Sequence, residues 1–151
     1  MIEYKKGNIF DGDEDIICHQ VNTFGIMGAG LAAQIKERFP EVFKAYEAQC
    51  FEWSSRNINP LGRVAFCNHY FKPLIANLFS QRDMTTDYMA LRSCLKIVRK
   101  TAEERNLSVA LPYRMGCGIA HGDWNTVEEI IKEIFEDSNI KCVIYQLENV
   151  Q

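Results

Sequence analysis

The sequence contains no long apolar run. Nothing in it approaches the ~20 residues that a membrane-spanning helix needs, so no membrane role is expected. The chain opens MIEYKKG and lacks the apolar segment of a secretory signal. No C-x-x-C pair occurs among the six cysteines, which excludes a zinc ribbon and a thioredoxin motif. Basic excess is missing too. A net charge of −3 argues against general nucleic-acid binding, which draws on a basic face. Two short basic clusters, Lys5-Lys6 and Lys96/Arg99/Lys100, read as solvated faces. Repeats, low-complexity tracts and linkers are absent. So are G-x-G-x-x-G and a Walker lysine, which argues against an ordinary Rossmann or P-loop nucleotide site.

What remains is a chain of 151 residues, 47% hydrophobic and 25% charged. That length predicts one domain over 1–151, with about 70% of its unfolded surface buried. Several cysteines fall inside apolar runs (ICH, VAFC, CVIY), as reduced buried thiols of a cytoplasmic protein would.

Apolar periodicity predicts strands over Ile2–Tyr4, Ile16–Val21, Arg63–Tyr70, Leu74–Phe79, Ser108–Pro112 and Lys141–Leu147. Helices are predicted over Ala29–Arg38, Glu41–Cys50, Thr86–Arg105 and Trp124–Phe135. Pro40 ends the first of these. Asp123 stands at an N-cap position, and Asn125 with Glu128 offers a capping box one step later. About six strands alternating with about four helices imply an α/β protein with a layered sheet. In such sheets ligands bind beyond the carboxyl ends of the strands.

Two glycine-rich loops fall at such ends. One carries Gly25, Gly28 and Gly30 and leads into a helix. The other reads Gly116-Cys117-Gly118-Ile119-Ala120-His121-Gly122. Bare backbone permits close approach, and a helix N-terminus offers free N–H groups to an anion. Each loop can be a tight turn. Together they suit a ligand with two phosphates, or with a phosphate and a ribose.

With these loops in view, the whole chain resembles a macrodomain, the ADP-ribose-binding fold. Four pieces carry the resemblance: Gly7-Asn8-Ile9, Val21-Asn22 through Gly28-Ala29-Gly30-Leu31-Ala32, Pro112 through Gly116-Cys117-Gly118-Ile119, and Val143-Ile144-Tyr145-Gln146-Leu147. MGAG followed by GCG is most similar to the branch of terminal ADP-ribose protein glycohydrolase and bacterial DNA ADP-ribosyl glycohydrolases. The resemblance implies a three-layer mixed sheet of about six strands with helices on both faces. It also implies ADP-ribose, or an ADP-ribosylated macromolecule, as the partner. No cofactor or metal is expected.

Individual roles follow from the resemblance. Asn8 stands where the family has an aspartate; its amide oxygen would accept from the adenine amino group, or it only forms a turn. Ile9 would offer its N–H to the adenine ring, near Tyr145 and Leu147. Asn22 would bond the distal ribose, or shape its loop. Gly28, Ala29, Gly30 and Leu31, with Gly116, Cys117, Gly118, Ile119 and Ala120, would hold the diphosphate and distal ribose.

The family's catalytic side chains are missing. Ser80 and Gln81 stand where the glycohydrolase branch has a lysine. Ala120 and Ala32 stand where two branches have aspartates. His121 remains as a general acid or base, or an exposed loop residue, and Asp123 as a water-orienting group or a cap. Cys117 is either a thiol whose pKa a helix N-terminus lowers or a small residue fitted between glycines. His19, on a strand, is expected in the core. Arg82 and Asp83 could form part of a lid. The resulting expectation is an ADP-ribose binder that hydrolyses an ADP-ribose derivative, by de-ADP-ribosylation or by processing ADP-ribose 1″-phosphate. The alternative is a non-catalytic ADP-ribose reader.

Overall fold

The computed structural model describes residues 1–68 and 70–147. In chain order the elements are β1 (Ile2–Lys6), a single 3-10 turn (Ile9–Asp11), β2 (Ile16–Val21), α1 (Gly30–Arg38), α2 (Pro40–Ser55), β3 (Val64–Cys67) and β4 (Leu74–Phe79). There follow β5 (Gln81–Arg82), β6 (Thr85–Thr86), α3 (Tyr88–Arg105), β7 (Val109–Pro112), α4 (Trp124–Phe135) and β8 (Cys142–Gln146).

Six strands form one sheet in the order β1-β8-β7-β2-β4-β3. Every neighbouring pair is parallel except β4 with β3 at the edge. Alternation along β2 sorts the two faces. Ile16 and Cys18 pack with Leu91, Leu95, Val98, Val127 and Ile131 of α3 and α4. Ile17 packs on the opposite side with Ile35 of α1 and Val42 of α2. The sheet is therefore the middle of three layers, with apolar side chains on both faces, as buried parallel strands require. All six cysteines are free thiols, and Cys18, Cys67, Cys94 and Cys142 are buried.

Most boundaries lie within two residues of the sequence reading, and two differ by more. The strand predicted to reach Tyr70 stops at Cys67, because Asn68 turns left-handed (φ 74°) and its side-chain amide donates to the Pro73 carbonyl at 2.7 Å. The second helix runs on past Cys50 to Ser55. Short β5 and β6 pair into a hairpin that the sequence reading did not contain. Its two-residue turn, Asp83-Met84, has positive φ at both positions, the geometry that fits a right-twisted hairpin. Arg82 and Asp83 belong to this hairpin. Among the described residues no helix is long and apolar enough to cross a membrane.

Because β1, β2, β4, β7 and β8 run the same way, their carboxyl ends share one edge of the sheet. The loops after β2 and β7 leave from adjacent strands at that edge, which sets them opposite one another.

Candidate functional site

Two cavities open at this edge. One, of 590 Å³, is lined by Asn8, Ile9, Gln34, Tyr145 and Leu147 among others. The other, of 530 Å³, is lined by Asn22, Gly28, Ala29, Gln81, Gly118 and Ala120 among others. Gly30, Leu31, Pro112, Tyr113 and Arg114 line both, so the two are ends of one groove. Its dimensions suit a nucleotide-sized ligand.

The middle of the groove is the start of α1. Ala29 occupies the N-cap position with no side-chain hydrogen bond, and the first turn holds no acidic residue. The first intrahelical bond recorded there is Ala33 N–H to Ala29 C=O at 3.2 Å. The N–H groups of Gly30, Leu31 and Ala32 are thus left for an acceptor in the groove. α3 and α4 are built differently: Asp87 and Asp123 cap them from their side chains.

The preceding loop is held from below. Asn22 is buried; its amide donates to the Ile26 carbonyl at 2.8 Å, and its oxygen accepts from the Phe24 N–H at 2.9 Å. The Tyr46 hydroxyl from α2 is shared between the Asn22 carbonyl (2.9 Å) and side-chain oxygen (2.8 Å). Asn22 therefore shapes the loop, and one amide proton is left for a ligand. The loop after β7 closes on itself: the Gly116 carbonyl accepts from Gly122 N–H at 2.7 Å and from the Thr86 hydroxyl at 2.7 Å.

Glycine serves two purposes in these loops. A Cβ on Gly116 would stand 2.8 Å from Thr86 Oγ1, and one on Gly122 would stand 2.5 Å from the Gly116 oxygen. Those two are required by the fold. Gly118 has no atom within 4 Å of its Cβ position, and Gly28 meets only Ile26 Cγ2, at 3.6 Å. Neither has positive φ. Nothing within the chain demands glycine at these two positions, and both line the same cavity.

Twelve of the thirteen binding residues expected from the sequence line the groove, from Asn8 to Leu147. Cys117 is the exception. It packs against the core, its thiol lies 3.4 Å from the Met115 carbonyl, and burial pushes its pKa up rather than down. The Asn8 side-chain oxygen accepts from the Phe10 N–H at 2.9 Å and caps the 3-10 turn, which takes one of its two lone pairs.

The two catalytic candidates lie outside the residues lining either cavity. His121 is exposed, with left-handed φ of 58°. Asp123 caps α4, accepting from Thr126 N–H at 3.3 Å and Thr126 Oγ1 at 2.9 Å. Ala32, Ala120 and Gln81 do line the distal cavity. The distal cavity thus holds the positions read from the sequence as lacking catalytic side chains, while His121 and Asp123, the candidates named in their place, do not line it.

Two other groove residues, Gln20 and Arg114, were not read from the sequence. Gln81 Nε2 donates to Gln20 Oε1 at 3.0 Å, and Gln20 Nε2 donates to the Ser80 carbonyl at 3.3 Å. These amides form the inner wall of the distal cavity. Arg114 brings a positive charge to the junction; its place just beyond the end of β7 was the available signal. His19 lies on the same wall but is 2% exposed. Its Nε2 lies 2.6 Å from Asn77 Oδ1, and Nδ1 is buried without a partner. Burial lowers its pKa to about 4, so the ring is neutral near pH 7. Among the described residues no cluster of three or more metal-binding side chains occurs.

A family model described as "Macro domain" matches residues 18–131. The chain belongs to the macro domain family. The curated macrodomain relatives include the DNA ADP-ribosyl glycohydrolase of Mycobacterium tuberculosis, 28% identical over 96% of this chain and 42% of that protein. This macrodomain thus spans less than half the length of that relative. The human ADP-ribose glycohydrolase OARD1 is 26% identical over 97% of this chain and 91% of its own length. Among solved structures, the macrodomain of Mycobacterium tuberculosis DarG superposes with a TM-score of 0.83, at 28% identity over 96% of this chain and 97% of that one.

Proposed function

We propose that the groove binds ADP-ribose and that the protein hydrolyses an ADP-ribose derivative in the cytoplasm. The observation that carries this is the uncapped N-terminus of α1 facing bare Gly118 across one cavity. Unshared N–H groups and a bare wall suit a diphosphate and its adjoining ribose. Apolar Ile9 and Leu147 with the Tyr145 ring suit a base at the other end. The names of the relatives, both glycohydrolases, support hydrolysis at the distal ribose.

Hydrolysis at that end forms a bond from water oxygen to the anomeric carbon and breaks the bond to the leaving group. The leaving group takes up a proton. Backbone N–H groups can stabilise the developing charge. A diphosphate oxygen of the substrate can hold the water, which requires no nucleophile from Ala32, Ala120 or Gln81.

The same three residues favour a second reading, a reader that holds ADP-ribose without turnover. Incubation with ADP-ribosylated protein, ADP-ribosylated DNA and ADP-ribose 1″-phosphate separates the two. Release of ADP-ribose from any one supports the hydrolase. Binding of all three without product over many hours leaves the reader.

A further inference from the structure

Among the described residues lining the two cavities, Arg114 is the only lysine, arginine, aspartate or glutamate. It lines both cavities, so it stands at their junction. It is exposed, on the loop after β7. Gly30 and Leu31, at the start of α1, line the same junction from the loop after β2.

The charge of Arg114 is not spent within the chain. Arg56, Arg82, Arg92 and Arg99 each meet a carboxylate within 3.3 Å. Arg38 and Arg63 lie over the rings of Phe10 and Trp53. Among the described residues Arg114 has neither kind of partner. Its backbone, by contrast, is held. Arg114 takes a left-handed φ of 60°, which a non-glycine residue adopts at a cost. Bonds on either side fix it there. Tyr113 N–H donates to the Tyr145 carbonyl at 2.8 Å, and the Arg114 carbonyl accepts from Cys117 N–H at 3.0 Å. The turn roots the side chain at the junction and leaves its charged end unpaired.

An uncompensated cation in a groove without carboxylates attracts an anion. The start of α1 adds positive potential from the other loop, because it has no side-chain cap and no acidic residue in its first turn. A guanidinium meets phosphate oxygens through two parallel N–H bonds, stronger than neutral ones.

We propose that Arg114 clamps the ligand at the junction: its guanidinium pairs with the diphosphate, while the N–H groups at the start of α1 hold it from the other loop. The inference rests on the groove being a nucleoside-diphosphate-ribose site and adds a side-chain charge to the bare backbone that recognises the ligand.

Calorimetric titrations of wild type, Arg114→Gln and Arg114→Lys with ADP-ribose test it, in about 0.1 M and about 1 M salt, where charges are screened over about 10 Å and about 3 Å. In low salt Arg114→Gln should bind about tenfold more weakly than wild type, the loss expected from one charge-assisted pair. High salt should narrow that gap. Arg114→Lys keeps the charge and should bind more tightly than Arg114→Gln in low salt. Arg114→Gln binding as tightly as wild type overturns the clamp and leaves the groove reading standing. So does a gap that salt does not narrow, which marks a structural effect, or a lysine variant no tighter than the glutamine one. Absence of binding by folded wild-type protein at millimolar ADP-ribose overturns both.

Discussion

Replacing Gly118 with alanine separates holding the ligand from holding the fold. The added methyl meets no atom within 4 Å, and the backbone φ there is one that alanine adopts freely. Stability should therefore hold or rise by up to about 1 kcal/mol, since alanine reduces the freedom of the unfolded chain. In a chain of this size that is a Tm rise of about 2–4 °C at most. The same methyl projects into the 530 Å³ cavity where a ligand would lie against the bare backbone. Displacing the ligand there should weaken binding by at least about tenfold, or about 1.4 kcal/mol. Gly122→Ala is the control. Its methyl would lie 2.5 Å from the Gly116 carbonyl oxygen, so the closed loop must shift, at about 1–3 kcal/mol. Thermal unfolding and calorimetry on the two variants give both readouts. If Gly118→Ala bound ADP-ribose as tightly as wild type, the claim that this backbone abuts the ligand would be wrong.

Three other outcomes are expected. Burial depresses the His19 pKa from 6.5 to about 4. Protonation therefore favours the unfolded chain, and stability present above pH 6.5 should fall by about 3 kcal/mol as pH drops to 4. Urea midpoints across that window should show this loss in wild type and a smaller one in His19→Gln; parallel curves would contradict it. Asp123→Ala should destabilise the protein by about 1 kcal/mol through the lost cap of α4, with ADP-ribose affinity unchanged by titration. Tyr46→Phe leaves the Asn22 oxygens short of a donor and should cost about 1–2 kcal/mol in chemical denaturation. Its ADP-ribose affinity should fall as well, because those bonds position the loop before α1.

The layers of this fold were legible because its signals are local. Five of the six strands of the main sheet hold short apolar runs, and α3 shows its buried stripe (Leu91, Leu95, Val98, Ala102) at helical spacing. The β5–β6 hairpin was not legible. Its turn carries positive φ at Asp83 and Met84, neither a glycine, so the usual sign of such a turn is missing. The groove was found through its glycines, but composition cannot separate Gly116, which the fold requires, from Gly118, which it does not. That difference lies in what surrounds each Cβ position. Asn8 illustrates another limit. Its sequence identity offers both donors and an acceptor, and only the Phe10 contact shows that the oxygen also caps the 3-10 turn. His121 and Asp123 fell outside the groove because the loop after β7 turns back at Gly122 and delivers Asp123 to the start of α4.

We place the ADP-ribose site at the edge of the sheet between the loops after β2 and β7. A calorimetric titration of the wild-type protein with ADP-ribose tests it most directly. Saturable heat with one ligand per chain, with affinity at least about tenfold weaker in Gly118→Ala, is the predicted result. Absence of binding at millimolar ADP-ribose by protein that still unfolds cooperatively would contradict the claim.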